Sequence, residues 1–159
     1  MTNSTTATDF TSRLNTERAA LRSLVTLLET EQRALIEGHT EQLLELSEKK
    51  TQAVQELSKL AHARINELRP HDAAIQASGI ITWLKAYAPN SPPVWQDIQK
   101  LAEQMQYLNR TNGTLIQTKL RHNQEALAVL HGTVNSTHGL YGANGQPHLH
   151  SSSRILGSV

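Results

Sequence analysis

Apolar residues return at every seventh position through Leu14, Leu21, Leu28 and Leu35, with Phe10 and Leu24 at interleaved positions and Val25 alongside. Side chains at that interval stay on one face of an α-helix, so the spacing predicts a heptad seam over residues 10–37. Two interleaved positions hold Glu17 and Glu31. A seam broken twice by acids favours packing inside a small bundle over a free-standing two-stranded coiled coil. Gly38 then suits a left-handed helix end, and Thr40 is placed to cap a second helix over residues 40–69. That helix carries one stripe: Leu43, Leu46, Ala53, Val54, Leu57, Leu60, Ala61, Ile65 and Leu68. Lys50 and Arg64 interrupt it. Their aliphatic stems are read as snorkelling to the bundle edge, ahead of the alternative that they are buried polar groups.

Proline punctuates the rest. Residues 71–88 follow Pro70 and predict a short helix, capped by Asp72, ending near Tyr87 and weakened by Gly79. Ser91 before Pro92 and Pro93 is a cap followed by first-turn prolines, so a third long helix over residues 92–135 starts there. Its stripe runs Trp95, Ile98, Leu101, Met105, Leu108, Asn112, Leu115, Ile116, Leu120, Asn123, Leu127, Leu130 and Val134. Gly113 costs about 1 kcal/mol relative to alanine, too little to stop a helix of this length. Asn112 and Asn123 read as buried amides that set register. At 1.5 Å per residue the three helices span about 42, 45 and 66 Å, so the third exceeds the hairpin by about 20 Å. The short segment covers that excess or leaves it as an overhang. An apolar stripe that outlasts its internal partners is a docking face for another chain, or for a second copy of this one.

Composition narrows the chemistry. Fifteen Lys+Arg against fourteen Asp+Glu in 159 residues give a net charge of +1, too small to recruit nucleic acid or an anionic membrane. Cysteine is absent, which removes disulfides, thiolate metal sites and thiol nucleophiles, and fits a reducing cytosol. The uncharged stretch 73–84 is too short to cross a bilayer, so no membrane insertion is expected. No signal-like segment opens the chain, and residues 1–9 read as a frayed start. No glycine-rich phosphate cradle or nucleophile elbow occurs, so no catalytic residue and no cofactor are assigned. His122 and His131 are read as surface residues. The pair His148 and His150 lacks a third ligand, so no metal is assigned. Glu29, Glu31, Glu41, Glu45 and Glu48 read as a solvated face, with Glu45 and Lys49 a supporting i,i+4 pair. Residues 136–159, rich in Gly, Ser, Asn and His and without an acid, read as a flexible tail. The fold class expected is all-α: an elongated antiparallel bundle of three long helices with a short connecting helix, occupying residues 10–135.

Three features, the leucine-seamed hairpin turning at Gly38, the string LNRTNGTLIQTKLRHNQEALAVL from Leu108 to Leu130, and YGANGQ from Tyr141, together resemble the FlgN family of flagellar export chaperones. The resemblance covers nearly the whole chain. It implies a cytoplasmic, non-enzymatic protein that binds the C-terminal helical regions of hook-associated proteins at the hook–filament junction. It also implies that the protein prevents their premature assembly and delivers them to the type III export apparatus. The cargo region of the family falls here on Leu115, Ile116, Leu120, Leu127, Leu130 and Val134. The tyrosine associated with docking on the cytoplasmic domain of the export gate falls on Tyr141. The alternative from another class is a homodimeric coiled-coil scaffold, closed through the same stripe.

Overall fold

The computed structural model describes the backbone of residues 2–138 and the side chains of residues 7–132. Among the described residues there are five α-helices and no strand: α1 (Thr2–Glu37), α2 (Leu43–Leu68), α3 (Asp72–Ser78), α4 (Ile80–Tyr87) and α5 (Ser91–His138). Single 3₁₀ turns, Thr40–Gln42 and Arg69–His71, lead into α2 and α3. The all-α expectation holds. The chain divides into two compact units, Met1–Ile116 and Gln117–Val159, which are described separately.

In the first unit the heptad seam of α1 is the central buried face. Phe10, Leu14, Leu24, Leu28 and Leu35 are each only 1% exposed. The helix itself starts at Thr2, eight residues before Phe10, so the first apolar seam residue does not mark where the helix begins. At its other end Gly38 adopts φ 82°, and the N–H groups of Gly38 and His39 both donate to the Ala34 carbonyl at 3.0 and 2.9 Å. That is the left-handed helix end expected of glycine. Thr40 does not act as a cap: it opens the 3₁₀ turn, and neither that turn nor α2 has a side-chain cap hydrogen bond.

The connection predicted as one helix is two. Gly79, at φ 80° and ψ 146°, ends α3 by donating to the Ile75 carbonyl and starts α4 by accepting from Trp83 N–H. Only glycine occupies that region without strain. In α4, Leu84 is wholly buried and joins Phe10, Leu14, Val94 and Ile98 in one core cluster, while Trp83 and Tyr87 stack at 4.4 Å. The short helices therefore close the end of the unit where Phe10 lies. A second cluster, Leu24, Val25, Leu28 and Leu108, continues the core along α1. Ser91, expected as the cap of α5, is buried with its hydroxyl 2.8 Å from that of Thr11, which ties the start of α5 to the first turns of α1. From there α5 passes through Gly113 without a break, as expected.

Candidate functional site

The two acids that interrupt the α1 seam are buried, and each meets one of the cations that interrupt α2. Arg64 Nε donates to both carboxylate oxygens of Glu17, at 2.9 and 3.2 Å, and its guanidinium carbon lies 5.0 Å from the centre of the Trp95 ring. Lys50 Nζ donates to Glu31 at 2.5 Å. The side chains of Glu17 and Glu31 are 5% and 6% exposed, those of Arg64 and Lys50 only 19% and 25%. This corrects two expectations. Lys50 and Arg64 do not snorkel to solvent, and Glu31 does not belong to the solvated acidic face, because a buried carboxylate is stable only when charge-paired and hydrogen-bonded. Glu45 does lie on that face with Lys49 as its i,i+4 partner; the hydrogen bond from Lys49 and its charge hold the Glu45 carboxyl below its ordinary value.

Asn112, buried to 1%, completes the second group: its Nδ2 donates to Glu31 at 2.8 Å and to the Leu28 carbonyl at 2.9 Å, while its Oδ1 finds no partner. These pairs fix register. The antiparallel α1–α2 pairs Glu17–Arg64 and Glu31–Lys50 have residue numbers that both sum to 81. Along α1 and α5, which run parallel, Thr11–Ser91, Arg18–Asp97 and Glu31–Asn112 are separated by 80, 79 and 81 residues. With α1 ending at Glu37, this parallel register is used up near Ile116, the last residue of the unit.

The second unit opens with the remainder of α5, and its side chains from Leu120 to Gly132 are all exposed. Leu120, Leu127, Val129 and Leu130 stand at 56, 55, 66 and 61% exposure, large values for aliphatic side chains. Ile116, at the end of the first unit, is 44% exposed, and Leu115 beside it is half-buried. Leu120, Asn123, Leu127 and Leu130 are spaced by three, four and three residues, which places them on one face of the helix. Asn123, expected as a second buried amide, is exposed on this face. His122 and His131 are exposed as anticipated. Arg121 and Glu125 form a long i,i+4 pair at 3.9 Å. The Val134 side chain and residues 139–159, with Tyr141, His148 and His150, lie outside the described residues.

Among the described residues there is no group of three metal-ligating side chains, and no helix is long and apolar enough to cross a membrane. In the sequence, periodicity had placed Leu120, Leu127 and Leu130 on one apolar stripe. Compared with known sequences, the chain matches the FlgN protein family over residues 1–148. It belongs to the FlgN family. Among curated FlgN relatives, the flagella synthesis protein FlgN of Yersinia enterocolitica is 32% identical over 129 residues, 79% of this chain and 80% of that protein. Its counterpart from a serotype O:8 strain of the same species is 31% identical over 136 residues, 83% of this chain and 84% of its own. No solved structure matches the chain. The family assignment agrees with the resemblance carried by residues 108–130 and the YGANGQ string. The Glu17–Arg64 and Glu31–Lys50 pairs went unrecognised in the sequence. The signal was there: two acids fourteen residues apart on one helix and two cations fourteen apart on the next can all pair in a single register of an antiparallel hairpin.

Proposed function

We propose that this FlgN-family protein is a cytoplasmic flagellar export chaperone. It binds the C-terminal helical regions of hook-associated proteins, keeps them from assembling prematurely, and delivers them to the type III export gate. It is a binding protein and not an enzyme. The observation that carries the reading is the row Leu120, Leu127, Leu130, each more than half exposed on a regular helix. The flagella synthesis name of both relatives supplies the cellular setting.

An amphipathic cargo helix lies along this row, with Leu115, Ile116 and Val134 extending it. Burial contributes about 25 cal/mol per Å² of apolar surface removed from water. A cargo helix with its assembly face covered in this way cannot pair with its neighbours in the hook–filament junction. Delivery also demands release, so the affinity is moderate: a Kd between about 1 μM and 1 nM, or about −8 to −12 kcal/mol. Tyr141 is the residue assigned to docking on the cytoplasmic domain of the gate.

The seam of α5 also fits a second copy of itself, the arrangement of a homodimeric scaffold. Flanking positions Gln117, Lys119, Gln124 and His131 give that pairing no complementary charges, which favours the chaperone. The test is isothermal titration of the full-length protein with a purified hook-associated protein from the same bacterium, with mass measured against concentration in parallel. One-to-one binding by a protein that dissociates to monomer on dilution is the expected result. A dimer that persists at nanomolar concentration and releases no heat with cargo is the scaffold.

A further inference from the structure

The hairpin reverses on two residues. Gly38 at φ 82° leaves α1, and His39, at φ −77° and ψ 67°, makes an inverse γ-turn in which Thr40 N–H donates to the Gly38 carbonyl at 2.9 Å. From Thr40 the chain is helical again, and residues 2–69 contain no proline. Straightening Gly38 and His39 joins α1 and α2 as one helix over residues 2–68, about 100 Å long. Leu35 and Leu46, both buried, are eleven residues or three helical turns apart. The joined helix therefore keeps the buried faces of α1 and α2 within about 20° of each other. Tight hinges of this kind are where elements exchange between copies.

The α1–α2 register makes the joined helix complementary to itself. Because the numbers in Glu17–Arg64 and Glu31–Lys50 both sum to 81, the register is symmetric about a point between Thr40 and Glu41, inside the turn. Two joined helices laid antiparallel about a twofold axis at that point bring Glu17 and Glu31 of each copy opposite Arg64 and Lys50 of the other. Every ion pair of the hairpin is remade. The same sum sets Ile36 opposite Glu45, Glu37 opposite Leu44 and Thr40 opposite Glu41, so no two acids meet where the copies cross. The part of α5 up to Ile116 stays with its own α2 and packs on α1 of the other copy, which remakes Thr11–Ser91 and Glu31–Asn112 between chains.

We infer that this chain has a second state, a domain-swapped dimer in which Gly38 and His39 straighten and α1 of each copy packs on α2 and α5 of the other. The packed contacts of the two states are the same, so the hinge and the protein concentration set the balance. Within one chain α1 meets α2 at an effective concentration of about 1 mM, and the parent is a monomer well below it. The inference does not depend on the chaperone reading.

Alanine at position 38 tests the hinge. Beyond the two adjoining residues nothing lies within 4 Å of the added methyl, so the substitution acts through the backbone. It strains the hairpin at φ 82° and favours the straight helix, by at least about tenfold per chain and so about a hundredfold per dimer. Full-length Gly38→Ala, unfolded in urea and refolded, is expected to dimerise near 10 μM in sedimentation equilibrium, about a hundredfold below the parent. A charge exchange then identifies which chain supplies each partner. Glu31→Lys and Lys50→Glu, each combined with Gly38→Ala, set like charges face to face both in the hairpin and in the dimer of one variant. Unfolded together and refolded as a mixture, they form a heterodimer with opposite charges at both 31–50 contacts, expected to melt above either variant alone. A Gly38→Ala protein that stays monomeric at 1 mM overturns the inference. So does a mixture that gains no stability over its components, including one in which neither component folds, because closed hairpins keep each like-charge pair inside one chain.

Discussion

Replacing Leu120 and Leu127 together by glutamine separates binding from folding. The two leucines are 56 and 55% exposed, so slightly more than half of each side chain remains to be covered by a partner. Full burial of a leucine contributes about 1.5–3 kcal/mol, so the uncovered part is worth about 1–1.5 kcal/mol per residue and about 2–3 kcal/mol for the pair. At 1.4 kcal/mol per factor of ten, the Kd for a hook-associated protein rises about thirty- to a hundredfold. Glutamine is close to leucine in helix propensity, so α5 keeps its local stability, and the unfolding free energy of the free protein changes by less than about 1 kcal/mol. The assay is titration calorimetry of parent and double variant, with urea unfolding followed by circular dichroism on the same samples. A double variant that unfolds like its parent and binds cargo with the same Kd refutes the assignment of this face. A loss of several kcal/mol in stability shows instead that the leucines are covered within the free protein.

Arg64→Ala leaves the Glu17 carboxylate buried without its guanidinium and is expected to destabilise by about 3 kcal/mol, whereas Glu17→Leu with Arg64→Leu stays within about 1 kcal/mol of the parent. Equal losses for the two in urea unfolding contradict the pairing argument. Gly113→Ala is expected to stabilise by up to about 1 kcal/mol, because the site is helical and, beyond the adjoining residues and the helix's own backbone, nothing lies within 4 Å of the added methyl. Gly79→Ala meets equally open space but must adopt φ 80°, and is expected to cost about 1–3 kcal/mol; thermal unfolding that ranks the two in the opposite order removes the backbone explanation. Tyr141→Ala is expected to keep cargo affinity and lose affinity for the cytoplasmic domain of the export gate, and surface plasmon resonance showing the same gate affinity for both proteins excludes that role.

Local rules account for what the residue order settled. The seven-residue return of leucine made α1 a helix with one buried face. Gly38 ended it through its positive φ, and the Ser-Pro-Pro string started a helix long enough to outlast the hairpin register. Those features depend on neighbours a few positions away, as does the apolar stripe of α5. Other outcomes depend on what lies alongside. Asn112 and Asn123 occupy the same stripe, yet Asn112 faces Leu28 and Glu31 and is buried, while Asn123 is exposed. Gly79 and Gly113 both interrupt helical patterns. In Gly79 the break lets α4 turn Leu84 into the cluster with Phe10, whereas α5 runs unbroken through Gly113 and packs Leu108 and Asn112 against α1. Lys50 and Arg64 became the ion-pair partners of buried acids because the antiparallel register brought Glu31 and Glu17 opposite them. Stripe width shows the same division: α2 could be read as amphipathic from spacing, but that its outer half borders an open groove follows from where α5 lies. Periodicity sets which face of a helix is apolar; the number and placement of the other helices set how much of that face is covered.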